Sequence, residues 1–186
     1  MLVLMLLTGD NDNLCNHMGK HRYHLMLAFL PLLCSISGNS GLQSNALTTR
    51  SISHSHVSKS TFKSWLRAEL GTSLILGIIM GFTLGLCAFQ LSEKDTLFGM
   101  SIAFSQFISI IISGLTGSMS PLVASFFFPR NSSKWGGLLE TAIQDVVGCS
   151  ATIAIFHCNF VWPLGSVFHN QILIDPRDVC QSTIGD

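Results

Sequence analysis

Two carboxylates stand inside the last long apolar run of the chain, in the stretch Glu140-Thr-Ala-Ile-Gln-Asp145-Val-Val-Gly148. A carboxylate near the middle of a bilayer costs about 2.5 to 3.5 kcal/mol on insertion scales, so such residues face a protein interior or a water-filled path. Asp145 is therefore a candidate cation ligand. Glu140 stands about 140° away from it around an ideal helix, so the two do not share a face. Its expected place is near the mouth of such a path, where it either recruits cations or is a solvated helix end, the second being the simpler reading.

Other residues with chemical potential are fewer. His54 and His56 flank Ser55 in a Ser- and His-rich loop, and the pair could hold a metal, but two imidazoles leave a site short of ligands and a solvated loop is the plainer reading. Cys15, Cys34, Cys87, Cys149, Cys158 and Cys180 contain no C-x-x-C pair, so they read as buried, reduced thiols rather than a disulfide framework or a zinc site. Around Asp145 there is no partner aspartate, nucleophile–base pair or His-x-x-x-His set, so an intramembrane hydrolase is disfavoured. Neither an enzyme nor a prosthetic group is expected.

The elements that must position Asp145 are set by composition. Of 186 residues only 11% are charged and 48% are hydrophobic, with a mean hydropathy of +0.49; soluble domains carry about 25% charged residues. This is the composition of one compact membrane domain, with no room for a large soluble module. Ten Lys and Arg balance ten Asp and Glu, so charge offers no argument for a nucleic-acid partner, and none is expected. The opening residues 1–7 are apolar but lack a basic leader and a small-residue cleavage site, and they are too short to span.

Along the chain, residues 1–22 form an N-terminal segment to which no fold is assigned. Residues 23–49 contain no Asp, Glu, Lys or Arg; 25–37 read as a helix entering the bilayer, and the polar, glycine-rich residues 38–45 as its interruption. Irregular backbone at membrane depth is tolerated only inside protein or beside a water-filled cavity, which makes this break the second candidate path element. Residues 50–69 read as a loop and amphipathic lead-in with four cations against one acid, on the cytoplasmic side or its organellar equivalent. Residues 70–92 are an uncharged span carrying Gly77, Gly81 and Gly85 on one helix face, a spacing that lets another backbone approach closely. Residues 96–129 form another uncharged run in which Ser101, Ser105, Ser109, Ser113, Gly117 and Pro121 recur every fourth position. That stripe is a packing seam or a pore-lining face, packing being favoured, and Pro121 should kink the helix or end its regular part. A basic connection and a final span over about residues 135–160 follow. The fold expected is an all-α, polytopic membrane bundle of about four to five transmembrane helices, one broken between Gly38 and Gln43. Its domains are 1–22, an integral membrane domain over 23–165, and a polar C-terminal tail over 166–186.

Four stretches, in order, resemble the membrane domain of MgtE-type magnesium transporters. Gly38-Asn39-Ser40-Gly41-Leu42-Gln43, followed by Arg50, is similar to the G-N-x-G-x-Q segment of that family's second transmembrane helix. Thr141, Asp145 and Gly148 match the T-x-x-x-D-x-x-G segment of its fifth. Arg67-Ala-Glu69 resembles the start of its third helix, and Gly117 with Pro121-Leu122 the G-x-x-x-P-L of its fourth. The resemblance implies a homodimer in a multi-pass membrane setting, with the ion path near the dimer axis, and it makes the 23–165 domain MgtE-like. It implies that Asp145 is the central magnesium-site aspartate, that Thr141 offers its backbone carbonyl, that Gly148 is a small position by the path, and that Gly38 and Asn39 belong to the broken segment. Leu42 stands where many members have asparagine, and Asn131 replaces an acid before the fifth helix. The resemblance does not reach a first helix, an acidic N-terminal domain or paired CBS domains.

The function expected is transport of Mg²⁺, as cargo rather than cofactor, with Mn²⁺ or Co²⁺ as lesser substrates and membrane lipid as the surroundings. The alternative is a non-conducting or truncated accessory subunit that packs with a full-length transporter through Gly77, Gly81 and Gly85.

Overall fold

The computed structural model describes residues 19–54, 61–127, 146–147, 150–156 and 158. Glu140, Thr141, Asp145 and Gly148 lie outside these, as do His56, the connection after residue 127 and the tail. The described residues form three long helices: α1, Lys20–Ser53; α2, Phe62–Leu91; and α3, Thr96–Phe127. A fourth helical segment includes residues 150–156. All three long helices are apolar and long enough to cross a membrane, as a bilayer requires of backbone that must satisfy its own hydrogen bonds.

The expected break at residues 38–45 does not occur, because α1 runs through them without interruption. Ser37, Gly41, Ser44 and Thr48 are all buried along one side of α1, so the small polar residues form a packing stripe. Glycine in a helix costs about 1 kcal/mol against alanine, whereas unpaired backbone in hydrocarbon costs several kcal/mol per group. Close packing over Gly41 uses the glycine without opening the helix. One boundary differs as well. The lead-in is helical from Phe62, so Glu69 belongs to α2. Of the two outcomes expected at Pro121, a kink or an end, the end does not occur, because α3 continues past it to Phe127.

α3 lies between the other two helices and packs on both. Its most apolar stretch is 56% buried, against 28% for α2. On the α2 side, a Cβ on Gly81 would stand 2.7 Å from the Ala103 carbonyl oxygen, and one on Gly85 2.6 Å from the Ala103 Cβ, while Gly77 faces Phe107. The pairing runs in opposite chain directions, so α2 and α3 are antiparallel. On the α1 side, Ser113 donates its hydroxyl to the Ser37 carbonyl, and Gly117 lies against the Gly41 backbone. Those pairs advance together, so α1 and α3 are parallel.

The turn joining α2 to α3 is short and places Glu93 and Lys94 at φ of 55° and 70°. Asp95 closes it. One of its oxygens accepts the Leu97 backbone N–H at 3.1 Å, and the other pairs with Arg22 Nε of α1 at 2.6 Å. Above this tie, Met26, Phe29, Leu30 and Leu33 of α1 pack with Phe98 and Ile102 of α3 and with Phe156. Phe98 and Phe156 lie 5.7 Å apart at their ring centres, and Ser105 donates to the Thr152 hydroxyl at 2.8 Å. These contacts seat residues 150–156 against α3.

Cys34 is buried, but Cys87 and Cys158 are exposed. The reading of these thiols as buried does not hold for Cys87 and Cys158. α2 buries a narrow face of mostly small residues with Leu84, and its outside, with Ile75, Ile78, Ile79, Phe82 and Leu86, is apolar too. An apolar exterior accepts cysteine as readily as a core does.

Candidate cation path

Gly38 and Asn39 are adjacent in sequence and face different ways. Gly38 is buried, with nothing within 4 Å of where a Cβ would stand. Asn39 is exposed, and Ser35, Gln43, Ala46 and Arg50 are exposed with it. At four-residue and three-residue intervals these positions fall on one side of a helix. α1 therefore carries a stripe of hydroxyl and amide groups on its outer face, bordered by the exposed Leu32, Leu42 and Leu47. Polar groups inside a membrane span face a protein interior or water rather than lipid chains. Because α1 is unbroken, its backbone carbonyls there are engaged in the helix, and the polar groups that the stripe presents are side chains.

The serine stripe of α3 faces inward. Ser101, Ser105, Ser109 and Ser113 are all buried, as is Gln106. Ser101 bonds back to the Leu97 carbonyl at 2.8 Å, while Ser105 and Ser113 reach neighbouring segments. Among the described residues, both polar atoms of the Gln106 amide and the Ser109 hydroxyl are without partners. Gly77, Gly81 and Gly85 are covered by α3 of the same chain, leaving no free glycine face there for another protein.

The sequence gives Glu69 a place at the start of a helix but no chemical role, because it stands just before the uncharged run over residues 70–92. Its carboxylate accepts the Ser44 hydroxyl of α1. One turn before it, Trp65 Nε1 donates to Thr48 Oγ1 at 3.1 Å; one turn after it, Ser73 is buried beside Gly114 of α3. The four-residue spacing Trp65, Glu69, Ser73 was the available signal. Gln106, the single amide side chain of residues 96–129, was missed because only the every-fourth-residue pattern was followed. Among the described residues no cluster of three or more His, Cys, Asp or Glu side chains forms a metal site.

A family model described as MgtE, divalent cation transporter, matches residues 30–155, which span most of α1, all of α2 and α3, and the segment carrying Asp145. Over 95 residues, 51% of the chain, it is 26% identical to the magnesium transporter MgtE of Bacillus subtilis (strain 168), and the match covers 21% of that protein. Over 99 residues, 53% of the chain, it is 24% identical to the magnesium transporter MgtE of Enterococcus faecalis (strain ATCC 700802 / V583), covering 22% of it. The chain thus spans about a fifth of the length of the curated relatives it matches.

Proposed function

The chain belongs to the MgtE family of divalent cation transporters, and from that premise we propose that it passes Mg²⁺ across a membrane as a homodimer, along a path lined by α1 and the helix carrying Asp145. It is an integral, multi-pass membrane protein. The observation that supports the path best is the exposed polar stripe Ser35, Asn39, Gln43 on an otherwise apolar membrane helix. Facing its symmetry mate, that stripe would be surrounded by protein and water instead of lipid.

Mg²⁺ takes six oxygens at about 2.0 to 2.1 Å and gives up water reluctantly, so it is held by one or two carboxylates with several waters retained. Two Asp145 side chains across a dimer axis supply that charge. The retained waters donate to Thr141 carbonyls and to Asn39 and Gln43 amide oxygens, and Gly148 keeps the wall small. Few charges also let the ion leave, since conduction fails when binding is too tight. Mn²⁺ and Co²⁺ would be lesser substrates at the same oxygens.

The test is Mg²⁺ uptake into proteoliposomes at matched protein incorporation. Wild type is expected to take up Mg²⁺ and Asp145→Ala to lose uptake. Equal uptake by the two removes Asp145 from the mechanism, and no uptake by either overturns transport by this chain alone.

A further inference from the structure

We propose that Glu69, together with Ser44 and Asn45, forms a second divalent-cation site, at the end of the bundle where α1 and α2 are joined. The inference deepens the transport reading and rests on it for the role of the ion, though not for the binding itself. Glu69 lies about two turns into α2, the single acidic residue within the three long helices, and it is partly buried. Its described partner is the Ser44 hydroxyl, itself only 5% exposed. Among the described residues no cationic side chain lies within ion-pairing distance of it; the one ion pair there joins Arg22 and Asp95 at the opposite end of α1. A carboxylate offers two oxygens with about four acceptor positions, so one hydroxyl leaves most of its capacity, and all of its charge, unmet.

The residue after Ser44 on α1 carries an amide of the kind a hydrated dication uses. Asn45 is 9% exposed. Its Oδ1 accepts the Thr49 hydroxyl at 3.4 Å, and its Nδ2, a donor, has no partner among the described residues. Because a hydroxyl both donates and accepts, turning the amide over lets Thr49 accept from Nδ2 and frees the oxygen for a water on the ion. Thr48, fully buried and held by Trp65, follows Ser44 by one turn on α1, and the buried Ser73 follows Glu69 by one turn on α2. One carboxylate with neutral oxygens and retained waters is the donor set that Mg²⁺ accepts. Ser44 and Asn45 sit on the buried side of α1, beyond Asn39 and Gln43 and nearer the connection from α1 to α2.

The test uses Mn²⁺ as a paramagnetic probe, with Mg²⁺ as competitor, on the full chain in lipid nanodiscs. Glu69→Gln keeps size and hydrogen bonding while removing the charge. It is expected to lose one Mg²⁺-displaceable Mn²⁺, or to bind it about tenfold or more weakly, with Glu69→Asp restoring part of the binding. Asp145→Ala is expected to retain that ion. Unchanged Mn²⁺ stoichiometry and affinity in Glu69→Gln overturns the site, and loss of the same ion in Asp145→Ala overturns its being a separate one. Should Glu69→Gln fail to fold, Ser44→Ala and Asn45→Leu decide: weaker Mn²⁺ binding at unchanged helix content supports the site, and unchanged binding in both overturns it. Glu69-dependent binding in a wild-type chain that takes up no Mg²⁺ would overturn the transport reading and leave this site standing.

Discussion

The carbonyl oxygen of Gly41 in α1 occupies the place that a Cβ on Gly117 of α3 would take. Neither helix can yield without disturbing the Ser113 to Ser37 bond one turn away. Gly117→Ala is therefore expected to destabilise the chain by about 1–3 kcal/mol, the usual cost of overpacking, read as a lower thermal unfolding midpoint in detergent micelles. Gly38→Ala is the control, since a Cβ there meets nothing within 4 Å. It should leave the midpoint unchanged or raise it by up to about 1 kcal/mol through helix propensity. Equal effects at the two positions would mean that α1 and α3 do not meet at Gly41.

Asp95 does two jobs with its two oxygens, capping α3 through Leu97 at 3.1 Å and holding Arg22 of α1 at 2.6 Å. Asp95→Asn keeps a capping oxygen and loses the charge. It is expected to cost about 0.2–1 kcal/mol, the range for a partly exposed ion pair. Asp95→Ala removes the cap as well, for a further loss of about 1 kcal/mol. Raised salt should narrow the gap between wild type and Asp95→Asn while leaving the capping loss in place. A double-mutant cycle with Arg22→Met measures the pair directly, and zero coupling would show that the tie carries no stability.

Asn39 is exposed on α1, whereas Gly38 beside it is buried. If the path follows the outer stripe, Asn39→Leu should lower Mg²⁺ uptake about tenfold, roughly 1.4 kcal/mol at the barrier, without lowering the unfolding midpoint. A leucine there also suits a lipid-facing position. Unchanged uptake with raised stability would therefore mean that Asn39 faces lipid and that the path lies elsewhere.

The all-helical membrane architecture was legible because composition and span length decide it in lipid, where backbone has few alternatives. Residues 38–45 were misread for a physical reason: glycine and polar side chains signal either an opened helix or a close helix contact, and sequence does not separate the two. The neighbour that decides it, Gly117, is 76 positions further along from Gly41, and no local pattern links the two. Glu69 carries no role in the sequence because hydropathy marks where apolar residues begin, whereas a helix begins where its backbone bonds do, here at Phe62. The exposure of Asn39 against the burial of Gly38 depends on how α1 is rotated, which the packing stripe Ser37, Gly41, Ser44, Thr48 sets.

Gln106 and Ser105 are neighbours on α3 with opposite standing. Ser105 donates to Thr152 at 2.8 Å, while the Gln106 amide is fully buried with neither end bonded. An unsatisfied buried polar group costs about 1–3 kcal/mol, whereas a made hydrogen bond contributes about 0.5–1.5 kcal/mol. Gln106→Leu, close to it in volume, is accordingly expected to raise the unfolding midpoint and Ser105→Ala to lower it. The two signs together would show that the bundle tolerates an orphaned amide at its centre at a cost to stability. A midpoint lowered by Gln106→Leu would show instead that the amide is bonded in the assembled protein, by a water or by a second subunit. Repeating the measurement over a range of protein concentrations separates these, because only a subunit contact makes the loss depend on concentration.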